Sequence, residues 1–386
     1  MYRGIATFTL DYGKCPKWLF ERMVRLGREM TRVLVEEYGP DEYIKRIADP
    51  VWFQSLGTVL AFDWNASGLT TILTAALKEG IRGQEKDLGV FICGGKGKTS
   101  RKVPDEIQSW GGKLRLPPSR VENLEYNSRM AAKVDSALIQ DGYQIYHHSF
   151  FFSRGGAWTV VQQGMNIQSQ SARRYHWHSE KAQDLIEEPH TGIASQAFQK
   201  NVLNLTAKQS AENRTISTEL AQSGYETLLK DIQLLRKHFT PVSSVAAFKR
   251  GEDELRFMHL KGVEFKHHPV ERENFSKSKY LEKILARVAF ERPETYEKLL
   301  SLEGVGPKTI RALALVAEII YGADTSHEDP ARFSFAHGGK DATPYPVDKE
   351  TYDQTITILE RALHRTRIPP KEKDQAFGRL HHHGDL

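Results

Sequence analysis

Residues Ser301 to Gly322 read SLEGVGPKTIRALALVAEIIYG, and this stretch decides how the C-terminal half folds. Leu299, Leu300 and Leu302 give a short helix an apolar end. Gly304 and Gly306 flank Val305 and allow a tight turn whose backbone angles a side chain would resist. Pro307 suits the first position of a following helix, where its missing N–H costs nothing. Ile310, Leu313, Ala314, Val316 and Ala317 then recur on one face and fold the second helix back onto the first. Backbone N–H groups therefore gather at a helix N-terminus, with the positive end of the helix dipole behind them. That arrangement binds anions. Gly304, Val305, Gly306, Lys308 and Thr309 are the expected contacts to a phosphodiester, held without reading base sequence.

Working outward, the first half alternates helix and strand signals, and the second half is helical. WLFERMVRLGREMTRVLVEEYG repeats apolar residues at helical spacing and ends on Gly39. GIATFTLDY, Gly4–Tyr12, and DLGVFICGG read as strands, and NLEYNSRMAAKVDSALIQDG as a helix. YQIYHHSFFF and AWTVVQQGMN, separated by SRGG, form the clearest β-hairpin pattern. The expectation is an α+β chain. Residues 1–180 form an N-terminal α/β domain with a small mixed sheet and a β-hairpin, 181–200 a linker, and 201–386 an all-α domain. The helix-hairpin-helix lies at 293–321, and a Gly/Pro-rich loop separates it from the last helices.

The glycine-flanked turn resembles the helix-hairpin-helix motif of DNA repair and replication proteins. In one branch, the base-excision glycosylases, a Gly/Pro-rich loop follows and an aspartate opens the next helix. Bifunctional members add a lysine just after the second hairpin glycine. The matching residues here are Lys308 and, in HGGKDATPYPVD, Asp348. The resemblance implies a glycosylase and abasic-site lyase needing neither metal nor small-molecule cofactor. An amine attacks the sugar C1′, and a carboxylate steadies the developing cation. The separation of Lys308 and Asp348 implies an insertion in the loop. Asp348 equally fits a helix cap, and Lys308 a phosphate contact. The whole chain also resembles an uncharacterised full-length family common in thermophilic archaea and some bacteria. That likeness rests on DPVWFQSLG, GLTT, GGKGKTSRKVPDEI, KVDSALIQDGYQIYHH, VVQQGMN and EGVGPKT.

The first half offers three further sites. FICGGKGKTSRK lacks P-loop glycine spacing but could cradle a phosphate, with Lys96, Lys98 and Arg101 as DNA contacts. Asp135, Asp141, His147, His148, Gln162 and Gln163 could build a nuclease site around Mg²⁺ or Mn²⁺, although adjacent strand residues point to opposite faces. ARRYHWH interleaves Arg173 and Arg174 with aromatic rings that could stack on bases. A net charge of +5 and a pI near 8.9 permit a nucleic-acid partner without demanding one. Two cysteines exclude a disulfide framework, and no apolar tract is long enough to cross a membrane. The combined expectation is a cytoplasmic DNA-binding protein of the repair type, with a metal-dependent nuclease or a non-enzymatic DNA-binding adaptor as alternatives.

Overall fold

The computed structural model describes residues 15–60, 66–195, 198–200, 202–238, 245–250, 254–259, 279–331 and 349–382. The strand expected at Gly4–Tyr12 and the candidate Asp348 lie outside these residues. The described chain opens with helices α1 (Lys17–Tyr38), α2 (Pro40–Ile47), α3 (Pro50–Val59) and α4 (Ala66–Gly80). Met23, Met30, Val33 and Leu34 of α1 are fully buried, as their helical spacing requires. Asp49 caps α3, accepting from the N–H groups of Val51 and Trp52 at 2.7 and 3.0 Å.

A one-turn helix, α5 (Glu85–Leu88), leads into β1 (Val90–Lys96). Helices α6 (Val103–Leu114) and α7 (Pro118–Ala137) follow, then the short β2 (Ile139–Gln140). Next come β3 (Gln144–Ser153), β4 (Trp158–Asn166), β5 (Ser171–His178) and β6 (His190–Ser195). The main sheet has the order β1-β3-β4-β5-β6, and every neighbouring pair is antiparallel. The expected mixed sheet is thus corrected. Turns as short as those joining β3 to β4 and β4 to β5 can only return the chain antiparallel. Ser153 closes the first of them, its Oγ accepting from Gly156 and Ala157 N–H.

Both faces of this sheet are covered. Phe91, Cys93, Phe150, Phe152, Val160 and Trp177 pack in one core with α6 and α7. Their neighbours Val90, Ile92, Phe151 and Val161 pack in a second core with α1 to α4. Alternation along a strand therefore sorts residues between two interiors rather than between core and water.

The stretch 181–200 is no linker. It carries β6, which pairs with β5 from Arg173↔Ser195 to Trp177↔His190. Past it come β7 (Leu203–Asn204), which pairs with β2, then α8 (Ala211–Gln222) and α9 (Tyr225–His238). The two strands β8 (Val245–Arg250) and β9 (Glu254–His259) interrupt the expected all-α half. Helices α10 (Lys279–Glu291), α11 (Tyr296–Ser301), α12 (Pro307–Tyr321), α13 (Lys349–Arg365) and α14 (Pro370–His382) complete it. Leu299, Leu300, Ile310 and Leu313 share the core of α6 and α7, whereas Leu359, Leu363 and Ala376 join the core of α1 and α3. The C-terminal helices thus close over the first half instead of standing apart from it. Among the described residues, no helix is long and apolar enough to cross a membrane.

Candidate nucleic-acid interface

Thr295 starts α11 by accepting from Lys298 N–H at 3.1 Å. The helix ends when Leu302 N–H bonds Leu299 O, and Val305 N–H then reaches Leu302 O, both at 3.3 Å. Gly304 makes this turn at φ +85°, and a Cβ there would come within 2.4 Å of Ile284 Cδ1. Gly306 differs. Its φ of −150° is ordinary extended backbone, and no atom lies within 4 Å of where its side chain would begin. It caps α12, with Pro307 at the first helical position and Ile310 N–H returning to Gly306 O at 3.1 Å.

The amide of Val305 is therefore spent inside the turn, and its side chain is buried. The amides of Gly304, Gly306, Lys308 and Thr309 have no acceptor among the described residues. Open space beside Gly306 and the exposed Lys308 side chain complete the feature. Amides left without acceptors at the head of a four-turn helix have the chemistry to hold an anion. Glu303, fully exposed nearby, pairs with Arg287 at 3.2 Å.

The hairpin is held from behind by α7. Lys133 donates to Leu300 O at 2.7 Å and to Leu302 O at 2.6 Å, capping the end of α11. Half-burial pulls its amine down to about 8. Tyr126 donates to Glu297 at 2.5 Å, and Gln140 bridges the α12 start, donating to Pro307 O at 3.0 Å and accepting from Arg311. Asn213 grips the far end of α12 through Ala314 O and Ala323 O, each at 2.9 Å. These clamps join residues more than 100 positions apart, so no local pattern marks them.

The structure scatters the other expected sites. Lys96, Lys98 and Arg101 stand exposed at the end of β1 and on the turn that follows. The glycine cradle is already occupied: Glu106 accepts from Gly94 N–H at 2.6 Å and pairs with Lys78 at 2.8 Å. Gly94, at φ +83°, lets the strand approach His148 O, which a Cβ would meet at 2.2 Å. Arg173 and Arg174 have no exposed surface and cannot touch a nucleic acid as expected. β5 is flanked by β4 and β6 and covered on both faces, so its arginines point into the two interiors. Arg173 joins Asp141 at 2.9 Å and Asp329 at 2.6 Å. Arg174 donates to Gln54 at 3.2 Å and to Pro50 O at 3.3 Å.

The six candidate nuclease residues also separate. Asp135, His148 and Gln162 share one face of the sheet: Gln162 donates to Asp135, while His148 Nδ1 lies 2.9 Å from Gln162 Oε1. Asp135 further accepts from Trp177 Nε1 at 3.0 Å and His190 Nε2 at 2.5 Å, so three donors hold it within the core. Asp141 belongs to the Arg173 cluster. His147 and Gln163 lie on the opposite face against α4, with His147 Nε2 3.2 Å from Thr74 Oγ1. Among the described residues, no three His, Cys, Asp or Glu side chains come together as a metal site.

Burial drives the His147 imidazole down to about 3, and also lowers His148 and His176. Unfolded, each takes up a proton near its ordinary pKa of 6.5, while the folded state resists. These rings thus favour the folded state fully above pH 6.5 and progressively less as pH falls, His147 down to about pH 3. Urea titrations from pH 7 to 4 are expected to show stability falling below pH 6.5, with His147 contributing about 1.4 kcal/mol per pH unit. His147→Gln is expected to flatten that slope by about one proton's share. An unchanged slope in the variant would place His147 in water.

No curated protein and no solved structure matches this chain. A family model matches residues 4–347, and the chain belongs to that family, described as Protein of unknown function (DUF763).

Proposed function

We propose that this protein binds DNA by its phosphodiester backbone at the 302–309 hairpin, without sequence preference, and processes it in repair. One observation carries the reading: the amides of Gly304, Gly306, Lys308 and Thr309 have no acceptor among the described residues, and space lies open beside Gly306 at the helix N-terminus. Backbone amides suit the oxygens common to every nucleotide and are blind to the base. Clamping by Lys133 of α7 and Gln140 of β2 keeps them in place before DNA arrives. That lowers the ordering cost of binding.

The resemblance to helix-hairpin-helix glycosylases extends this reading to chemistry at Lys308. Its amine would displace the leaving group at an abasic or damaged C1′, forming a Schiff base, and strand scission would follow by β-elimination. Asp348 is the companion carboxylate of this reading. Lys308 is exposed in the free protein, so the low-dielectric setting an attacking amine needs would be completed by bound DNA. Borohydride trapping on an abasic duplex tests the step. A covalent adduct is expected to form in EDTA and to vanish in Lys308→Ala. Duplex binding with no adduct would remove the lyase and leave a DNA-binding adaptor.

A further inference from the structure

The helix beside the hairpin, α10, has two unlike faces. Leu281, Ile284, Leu285 and Val288 are buried in the core that also holds Leu299 and Ile310. Away from that core, Tyr280, Lys283, Arg287 and Phe290 recur at i, i+3, i+7 and i+10, one stripe along three turns. All four are exposed. Tyr280 is 62% accessible and Phe290 85%, the highest value for any large apolar side chain described.

The stripe starts at the hairpin. The Tyr280 hydroxyl lies 3.4 Å from the point where a side chain on Gly304 would begin. Arg287 Nη1 lies 3.2 Å from both the backbone oxygen and a carboxylate oxygen of Glu303, so this cation is already engaged by the turn. Lys283 is not: it pairs with no carboxylate among the described residues, and neither Tyr280 nor Phe290 has a hydrogen-bond, ring or cation partner among them. An isolated exposed ring means little on a protein surface. Two rings on one stripe, with an unpaired ammonium between them and amides without acceptors at one end, have the parts of a stacking platform. The rings hold bases, and the ammonium and amides hold backbone.

We infer that α10 carries a single-stranded segment of DNA away from the hairpin, with one base on Tyr280 and another on Phe290. Bases paired within a duplex stack on one another and give such rings no free face. The two rings stand ten residues apart, about 15 Å along the helix. A duplex strand advances roughly 3.4 Å per nucleotide, so the rings take separate bases. Stacking accepts any base, as a backbone grip does. The inference rests on the hairpin reading and narrows its substrate to DNA with an unpaired stretch, such as a gap, a flap or a frayed end.

Anisotropy at fixed salt tests it, with a labelled blunt duplex and the same duplex carrying a single-stranded thymidine tail. The tailed duplex is expected to bind at least tenfold tighter. Tyr280→Ala and Phe290→Ala are each expected to weaken tailed binding about fivefold or more, the low end for one base–ring stack. Blunt-duplex affinity and the melting temperature should not change. Phe290→Trp is expected to keep the tail advantage and Phe290→Leu, apolar without a flat face, to lose it. Lys283→Ala should flatten the salt slope of tailed binding by about 0.7, the share of one single-strand phosphate. Gly306→Asp separates this inference from the hairpin reading, since it is expected to weaken both probes. If it weakens neither while the aromatic variants act, the hairpin reading falls and the stripe stands. Equal affinity for the two duplexes, no binding of the tailed one, or a full tail advantage in both alanine variants would overturn the inference. Should the alanine variants unfold, Phe290→Leu against Phe290→Trp decides.

Discussion

Gly306→Asp is expected to leave the protein folded while weakening duplex binding at least tenfold. The position tolerates a side chain, because its φ of −150° suits any residue and nothing stands within 4 Å of the new Cβ. Aspartate is also a preferred helix N-cap, whose carboxylate accepts from the second or third helical amide. Those amides belong to Lys308 and Thr309, two of the four donors proposed to hold phosphate. The variant thus fills the anion site with a covalent anion. Capping should hold stability level or raise it by roughly a few tenths of a kcal/mol, while losing the phosphate contact costs about 1.4 kcal/mol or more of binding, a factor of ten. Anisotropy with a labelled duplex at fixed salt, beside a thermal melt, reads both quantities. Gly304→Ala supplies the contrast. At φ +85° and 2.4 Å from Ile284 Cδ1 it strains the turn itself, so fold and binding should fail together. Full affinity in Gly306→Asp would mean that DNA, if bound, is bound elsewhere.

Arg173→Met is expected to destabilise the protein by about 3–5 kcal/mol, the usual result of stripping one partner from a buried ion pair. Arg173 reaches Asp141 Oδ2 and Asp329 Oδ1 at 2.9 Å each and Asp329 Oδ2 at 2.6 Å, and lies 4.7 Å from the Tyr143 ring centre. Its two carboxylates hold it firmly protonated against the pull of burial. Without it, Asp141 and Asp329 remain in the interior as uncompensated charges. Asp329 also fixes Gln199 N–H at 2.6 Å and so ties the segment after α12 to the sheet. Urea unfolding at pH 7 measures the loss. Affinity of the folded fraction for DNA should be unchanged, because this guanidinium has no exposed surface. A stability within 0.5 kcal/mol or so of wild type would contradict the buried cluster.

The elements that were legible in the amino-acid order are those fixed by neighbouring residues. The β3–β4 hairpin fell where its polar turn separates two apolar runs, α1 ended on Gly39, and α12 began at Pro307. Other features resisted reading for identifiable reasons. His190–Ser195 is short and polar on average, so it resembled a connector, yet pairing with β5 makes it the edge of the sheet. Arg173 and Arg174 looked like a basic patch because composition carries no record of which strands will be flanked on both sides. The hairpin glycines looked equivalent, whereas only Gly304 has a positive φ.

By itself the sequence determined local geometry: where helices begin and end, which turn is tight, and that bare amides would head α12. Each of these depends on backbone angles and side chains within a few residues, and such information is written in order along the chain. Tertiary structure alone decided which charges are buried, which donors are left unpartnered, and that α13 and α14 return to α1 and α3. Those outcomes depend on which distant surfaces exclude water from one another, a property of packed faces that no single stretch contains.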